Sequence, residues 1–192
     1  MKMDNEIIIA SGNKGKIKEA QDILAEYKIL PIKELGIDID VEEDKETFVD
    51  NAIKKATEIS VYLNGKKCMS DDSGIEIPYL DGFPGVFTKR WHAGTDRERN
   101  LEIIKKLVGV EKSKRKITFT TAIALAEGDT VYTGVAKIDG FVAENVRGDN
   151  GFGFDEIFEL ENGKTLAELT PEEKNEISAR KKALEIIKSK LK

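Results

Sequence analysis

The chain has few of the residues on which several common structures and sites depend. Its 192 residues include one cysteine, Cys68, which cannot form an internal disulfide. The single histidine, His92, excludes zinc sites built from several histidines, and a serine-histidine-aspartate hydrolase would depend on this one residue. Only four prolines occur beside 40% hydrophobic residues, which excludes a collagen-like chain and argues against disorder.

Long apolar runs are missing as well. A membrane-spanning helix needs about 18 or more consecutive apolar residues, and no such run occurs, so the sequence predicts a protein without a membrane span. The polar N-terminus leads into a short apolar stretch, Ile7–Ala10, which is too short for a secretory signal peptide. Together with the single cysteine, these features predict a reducing, cytoplasmic location.

An excess of positive charge is also lacking, because the formal net charge is −5. A net-acidic chain is a poor general binder of nucleic acid, so we predict no nucleic-acid partner, and a polyanion would need basic groups gathered at one site. With histidine and cysteine so scarce, a bound metal would be held by carboxylate oxygens, as is typical of Mg²⁺. The length fits one domain, with or without two lobes.

The order of the predicted elements is typical of an α/β protein. A buried strand at Glu6–Ala10 is followed by a glycine-containing loop and by apolar residues at helical spacing from Ile17 to Tyr27. Further elements are predicted along the chain: a helix over 48–63, a strand over 67–70 that ends in Asp71-Asp72-Ser73-Gly74, a helix over 100–108, a hairpin of strands 116–126 and 130–141, and one helix from Thr170 to the C-terminus. This order predicts a mixed sheet with helices on its faces.

The loop Ser11–Lys16 is a candidate phosphate site. Small residues that enter a helix offer free backbone N–H groups and the positive end of the helix dipole, and Lys14 and Lys16 add charge. The loop is not a Walker A sequence, because Ile17 stands where serine or threonine is required. An ordinary turn between a strand and a helix is the alternative interpretation.

Asp71 and Asp72 are candidate catalytic or metal-binding carboxylates. Neighbouring residues of a strand point to opposite faces, so at most one of the two is expected to face a given cleft. A carboxylate at the carboxyl end of a strand is a common position for a metal ligand or a base. A polar turn is the alternative.

Two basic residues lie on faces that are otherwise apolar. Lys55 lies at the edge of the apolar face of the second helix, and Arg180 lies within the apolar set of the last helix. An inward charge must be paired or functional, so the pattern favours a functional role for Arg180. The alternatives are a lysine whose head reaches the solvent and a structural ion pair for Arg180.

The glycine-rich segment Gly148–Asp155 carries Phe152 and Phe154 two positions apart. Alternation places both rings on the same side, where they could form a stacking surface for a base or belong to the core around a tight turn. Combined with the anion loop, the carboxylates and the inward basic residues, this segment describes a nucleotide site with an oxygen-ligated metal.

Several segments, in the same order, resemble the motifs of the inosine/xanthosine triphosphate pyrophosphatase family. They are Ser11–Lys16, Glu42 with Thr47-Phe48 and Asn51–Ala56, Asp71–Gly74, Gly82–Gly85 with Arg90, Gly151–Asp155, and Leu169–Lys174 with Ile177–Arg180. The resemblance covers almost the whole chain. It implies a single pyrophosphatase domain over residues 1–192, two lobes with a long mixed sheet, a nucleotide in the central cleft, and a homodimer.

The resemblance also implies roles for individual residues. It makes Asp72 the proton acceptor and, with Glu42, a ligand of Mg²⁺, and it makes Lys55 a catalytic residue on the phosphates. The remaining triphosphate contacts would be Ser11, Gly12, Asn13, Lys14, Gly15, Lys16 and Ser73. The nucleotide and its base would be held by Phe152, Gly153, Phe154, Asp155, Lys174, Ala179 and Arg180.

The implied activity is the hydrolysis of ITP, dITP and XTP to the nucleoside monophosphate and pyrophosphate. Three residues depart from the family pattern: Ala179 replaces a histidine, Lys45 replaces a glycine, and Phe154 replaces a tyrosine. Because Ala179 removes one base contact, a pyrophosphatase with a broader choice of NTPs or dNTPs is an alternative. A catalytically silent nucleotide-binding module is another, although the presence of Asp72, Lys55 and Glu42 argues against it.

Overall fold

A computed structural model describes residues 5–88 and 90–191. The polar residues 1–4, which contribute to the signal-peptide prediction, lie outside this part of the chain. The chain forms two compact units. The first contains the residues up to Ser73, then Thr121–Ala136 and the residues from Ala179 onward, and the second contains Gly74–Thr120 and Lys137–Ser178. The single domain predicted over residues 1–192 stays a prediction beside this division.

The described residues form one mixed sheet and five α-helices. The strands are β1 (Glu6–Ile9), β2 (Lys28–Pro31), β3 (Cys68–Ile77), β4 (Phe83–Pro84), β5 (Lys116–Glu127), β6 (Thr130–Val142) and β7 (Phe158–Glu159). The helices are α1 (Lys14–Ile23), α2 (Phe48–Tyr62), α3 (Asp96–Lys106), α4 (Pro171–Ile177) and α5 (Ala179–Lys190). No helix in residues 5–88 and 90–191 combines the length and the apolar character that a membrane crossing requires.

The sheet contains both parallel and antiparallel pairs, which confirms the predicted α/β class with a mixed sheet. Its strand order is β2-β1-β3-β5-β6-β7, and β4 pairs with β3. β1 is parallel to β2 and to β3, whereas β4 is antiparallel to β3 and β7 is antiparallel to β6. A two-residue turn, Gly128-Asp129, connects β5 to β6 and confirms the predicted hairpin.

The first unit buries both faces of β1, as its unbroken apolar sequence predicts. Ile7 and Ile9 belong to a core with residues of α1 and α5, whereas Ile8 lies in a separate core with Ile59 of α2 and with Cys68. Alternation along the strand sends these side chains to opposite faces. β1 therefore lies between two helical layers, and the loop Ser11–Lys16 emerges from its carboxyl end.

The second unit packs α3 against the remaining part of the sheet. Ile103 of α3 and Leu107, which caps its C-terminus, share a core with Ile75, Ile77 and Ile117. Residues of β6, β7 and the segment before α4 complete this core. α3 begins earlier than the predicted Asn100. Thr95 caps it, and the side chain of Glu98 accepts a hydrogen bond from the Thr95 backbone, which completes a capping box.

Two further predicted boundaries are wrong. β3 continues through Asp71–Gly74 as an inner strand of the sheet, with β1 and β5 as its neighbours, and this place in the sheet overrides the low strand propensity of the polar segment. The final helix is interrupted at Ser178, whose φ of −55° and ψ of 122° are not helical. Lys174 and Ser178 therefore do not share the face of one continuous helix.

Candidate active site

The loop Ser11–Lys16 connects β1 to α1, as predicted, and is shaped by its own side chains. Asn13 caps α1, and its Oδ1 accepts hydrogen bonds from the backbone N–H groups of Gly15, at 2.9 Å, and Lys16, at 3.2 Å. Because the loop itself pairs these two amides, the charge that it offers a phosphate comes mainly from lysine side chains. The Nζ of Lys33 lies 3.7 Å from where a Cβ on Gly12 would stand. No motif surrounds Lys33, so the sequence carries no signal for it.

Asp71 of β3 joins two cations in the first unit. Its Oδ2 lies 2.6 Å from the Nζ of Lys16 and 3.3 Å from Nη2 of Arg180, and Nη1 of Arg180 lies 3.4 Å from Glu19. Arg180 is 8% exposed, which confirms that it points inward, and the ion pair proposed as the alternative is present. Its buried Nε has no hydrogen-bond partner in the described residues. A cavity of about 10 Å³, lined partly by Lys16, Asp71 and Arg180, has room for one water molecule.

Asp72 makes a different set of contacts, as strand alternation predicts. Its Oδ2 accepts a hydrogen bond from Nδ2 of Asn51 at 3.0 Å, and its Oδ1 accepts one from the backbone N–H of Ser73 at 2.9 Å. Asn51 is 1% exposed, and its own Oδ1 accepts from the backbone N–H of Lys45 at 2.9 Å. Because that bond fixes the orientation of the amide, Asn51 must present a donor to Asp72. Asn51 lies within a recognised motif, but its role was not predicted.

Glu43, the neighbour of the predicted ligand Glu42, is the glutamate whose charge acts on Asp72. The pKa of Asp72 is raised from 3.8 to about 6. Burial is the largest cause, and the negative charge of Glu43 is the second. The carboxylate of Glu43 pairs with Nζ of Lys55 at 3.3 Å. Glu42 is exposed, and its backbone carbonyl accepts from Nζ of Lys54 at 2.8 Å. A single carboxylate motif cannot distinguish two adjacent glutamates, because the loop that carries them has no regular periodicity.

The carboxylates of this unit fit a magnesium ion better than a metal that needs a protein cage. Within the described part of the chain, no three histidine, cysteine, aspartate or glutamate side chains gather around a common point. Mg²⁺ commonly takes one or two carboxylates and completes its shell with water and substrate phosphates. The negative charge of Glu43 raises the pKa of Asp72, so a cation bound at Asp72 would relieve an unfavourable interaction.

Ser73 and Ala179 are the other predicted site residues of the first unit. Ser73 Oγ lies 3.3 Å from Oδ2 of Asp71 and 3.4 Å from Oγ1 of Thr121, so it belongs to the Asp71 side of β3. Ala179 begins α5 and is 2% exposed. A histidine in its place would therefore have to displace neighbouring atoms or turn outward.

In the second unit, the predicted base-binding loop separates its two phenylalanines. Phe152 is 56% exposed, whereas Phe154 packs against the core. The prediction that both rings lie on one side is wrong, because positive φ angles at Gly151 (+85°) and Gly153 (+65°) interrupt the strand alternation. Phe152 is therefore the stacking candidate, and Phe154 is a core residue.

Asp155 and Lys174 support the exposed ring. Oδ2 of Asp155 accepts from the backbone N–H of Phe152 at 2.7 Å and pairs with Nζ of Lys174, which lies 4.9 Å from the centre of the Phe152 ring. A Cβ on Gly151 would lie 2.1 Å from Asp155 Oδ2, so only glycine fits there. The loop thus presents an aromatic face beside an ammonium group.

Comparison with known proteins agrees with the arrangement of motifs. Residues 7–190 match the family model described as the Ham1 family. The chain is 41% identical to a dITP/XTP pyrophosphatase of Clostridium perfringens, with 97% of each protein covered, and 41% identical to one of Bacillus subtilis, with 93% of each covered. The solved structure of a HAM1 protein from Coxiella burnetii has a TM-score of 0.89 and 38% identity, and the match covers 97% of this chain and 98% of that chain. Since every motif found in the sequence lies inside the matched range, the resemblance is confirmed, and the chain belongs to the Ham1 family.

Proposed function

We propose that this protein hydrolyses non-standard purine nucleoside triphosphates of the ITP, dITP and XTP type to the nucleoside monophosphate and pyrophosphate, with Mg²⁺ as the metal. The observation that carries the proposal is Asp72, a largely buried carboxylate with a raised pKa, both of whose oxygens are held by protein donors. The name dITP/XTP pyrophosphatase, carried by relatives about 41% identical, supports the same reaction class.

Asp72 is assigned the proton transfer. Without the metal its pKa is raised to about 6, so the carboxylate is mostly ionised at neutral pH and can accept a proton, and a bound cation would favour the ionised form further. Asn51 and Ser73 fix the plane of the carboxylate, and lone pairs remain on its oxygens to accept a proton from a water molecule. That water would attack the α-phosphorus, and pyrophosphate would leave.

Asp72 would hold Mg²⁺ together with a glutamate of the loop before α2. Glu42 is the predicted ligand, and the adjacent Glu43 is the one whose charge acts on Asp72. When bound, the ion neutralises phosphate charge and makes the attacking water more acidic. Lys55, which pairs with Glu43, contributes a positive charge next to the same carboxylates. We assign Lys55 to the phosphates, because an ammonium group beside the metal-binding carboxylates can also contact phosphate oxygens.

The triphosphate is assigned to the loop Ser11–Lys16 together with Ser73. Lys14 is exposed, Lys16 is held by Asp71, and Lys33 lies over Gly12, so three ammonium groups lie at or near the end of β1. Positive charge at fixed positions stabilises the negative charge that accumulates on a departing pyrophosphate.

The base is assigned to Phe152 and Lys174. The exposed ring offers a stacking surface, and a lysine donor suits the 6-oxo group of inosine or xanthosine. Adenine presents an amino donor at the same position and would leave the lysine unpaired. Arg180 has two candidate roles: the base contact implied by the family, and the observed pairing with Asp71 and Glu19. Arg180→Ala separates the two roles, because only a base contact changes the ITP-to-ATP ratio of kcat/KM.

The experiment that tests the proposal is pyrophosphate release from ITP, XTP, dITP, ATP and UTP, with and without Mg²⁺. We expect fast release from the 6-oxo purines, dependence on the metal, and loss in Asp72→Asn but not in the control Asp22→Asn, an exposed aspartate on α1. Similar rates for all triphosphates would favour the broader pyrophosphatase. Binding without release would favour the silent module. The homodimer and the cytoplasmic location stay predictions.

A further inference from the structure

Helix α3 holds the peptide groups of Gly153, at the centre of the loop that carries Phe152. The backbone N–H of Gly153 donates to Oδ2 of Asp96 at 2.9 Å, and its carbonyl oxygen accepts from Nδ2 of Asn100 at 2.9 Å. Asp96 and Asn100 are four residues apart and therefore lie on the same side of the helix. The two side chains thus hydrogen-bond both peptide groups of Gly153.

Asn100 is well suited to this role. Its side chain is fully buried, its Nδ2 also lies 3.3 Å from Oε2 of Glu156, and its Oδ1 is buried with no hydrogen-bond partner in the described residues. An unpaired buried oxygen is unfavourable, and an apolar side chain would avoid it. The advantage of asparagine at this position is therefore its N–H donor, which is directed at the carbonyl of Gly153.

These hydrogen bonds hold the backbone next to the exposed ring of Phe152. Asp155 holds the N–H of Phe152, and α3 holds both peptide groups of the following Gly153. Gly153 has a φ of +65°, which glycine adopts without steric cost, so the two hydrogen bonds from α3 and not side-chain sterics hold this residue in place. An exposed ring on a fixed backbone loses little freedom when a flat ligand stacks on it.

We propose that Asp96 and Asn100 are positioning residues for purine recognition, which hold Gly153 so that Phe152 presents its ring to the base. The inference rests on the proposed function, since it assumes that the Phe152 loop takes the base. Neither residue belongs to the predicted set of site residues. Their effect is expected on base binding alone, because they contact the loop and none of the phosphate-binding residues proposed above.

The test measures the binding of two fragments, inosine monophosphate and inorganic pyrophosphate, by calorimetry with Mg²⁺ present. The variants are Asn100→Ala, Asp96→Ala and Phe152→Ala. The control is Glu102→Ala, because the side chain of Glu102 pairs with Lys105 on the same helix. Each α3 variant loses one hydrogen bond to the loop, so we expect inosine monophosphate to bind about threefold to tenfold more weakly. Pyrophosphate binding should stay within about twofold, and KM for ITP should rise while kcat stays nearly constant.

A second variant protects the test against a folding defect. Asn100 is in the core and Asn100→Ala risks unfolding, whereas Asp96 is half-exposed at the start of α3. Asp96→Asn keeps an oxygen acceptor for Gly153 but weakens the ion pair with Arg99, so it should restore the binding of inosine monophosphate that Asp96→Ala loses. Failure of this rescue would assign the effect to the helix rather than to the loop contact and would overturn the proposal.

The remaining outcomes separate this inference from the proposed function. If Phe152→Ala weakens the binding of inosine monophosphate and Asp96→Ala and Asn100→Ala do not, the positioning role is wrong and the base site stands. If Phe152→Ala also has no effect, the loop does not take the base and both are wrong. Equal loss of both fragments in the folded α3 variants would show a general structural role and would overturn the inference.

Discussion

The first unit places its candidate catalytic side chains on regular elements, whereas the second unit places its candidate base-binding ring on an irregular loop. Asp71 and Asp72 lie in β3, and their directions follow from strand alternation together with Asn51 and Lys16. Phe152 has no such support from a ladder. Its position depends on glycine conformations and on side chains of Asp155 and α3. Under the proposed function, the chemistry would therefore depend on side-chain identity, and base recognition would depend on backbone conformation.

The largest effect that would test this contrast is expected at β3. Asp72→Asn should lower kcat for ITP by at least about 100-fold, because loss of a general base typically costs 10²–10⁴-fold. Asp71→Asn should instead act mainly on KM, since Asp71 holds Lys16 and Arg180. The measurements are steady-state pyrophosphate release and circular dichroism. Equal, small losses in both folded variants would contradict the division of roles between the two carboxylates.

A stability measurement sharpens the same contrast without substrate. The pKa of Asp72 is raised to about 6 in the folded protein, so its protonated form favours folding below pH 4, and this contribution disappears as the pH rises through 6. Without metal, the unfolding free energy of wild type minus that of Asp72→Asn should fall by about 2 kcal/mol between pH 4 and pH 7. Urea unfolding in EDTA measures it. A difference that increases with pH would mean that the pKa of Asp72 is lowered.

In the second unit, we expect a change of backbone conformation in the Phe152 loop to weaken base binding. In the first unit, the expected losses come from changes of side chains. Gly151→Ala forces a residue with a Cβ into a φ of +85° and against Asp155, so we expect inosine monophosphate to bind about tenfold more weakly. Gly163→Ala is the matched control, because Gly163 has a φ of +82° and no atom within 4 Å of the added Cβ. Binding calorimetry compares the two. Equal effects would show general strain rather than damage to the loop.

The smallest effect is expected at Ala179. If a histidine there adds one base contact, the ITP-to-ATP ratio of kcat/KM should rise about threefold to tenfold, the worth of a single neutral hydrogen bond. Ala179 is 2% exposed, so the variant must first be shown to fold, by its thermal melting temperature. A folded Ala179→His protein with an unchanged ratio would mean that this position does not contact the base.

Much of the fold followed from local pattern. Three elements were predicted from a few neighbouring residues each: β1 from its apolar run, α2 from the spacing of its apolar residues, and the β5–β6 hairpin from the turn at Gly128-Asp129. This works because burial and turn geometry act over a few residues. The predicted strand ended at residue 70 because polar residues such as Asp71 and Asp72 disfavour strands. The continuity of β3 comes from its place between β1 and β5 in the sheet, which the local sequence does not contain.

The site was predictable to the extent that chemistry resides in single residue types. The directions of Asp71 and Asp72 and the burial of Arg180 followed from periodicity. Asn51 and Asn100 did not, because a buried amide is important only through partners that are distant in sequence. The pairing of Glu43 with Lys55 was not predicted either, since one residue of register in an irregular loop has no periodic signal, and Glu42 stays the predicted metal ligand.

The single thiol has a practical consequence for labelling experiments. Cys68 is fully buried, and burial raises its pKa to about 12, so almost none of it is thiolate at neutral pH. Maleimide reagents attack thiolates, and a cysteine introduced at an exposed position of the second unit, such as Leu101, should therefore react selectively with the wild-type Cys68 left in place. The chain thus provides a natural single-site background for fluorescent labels that report on nucleotide binding.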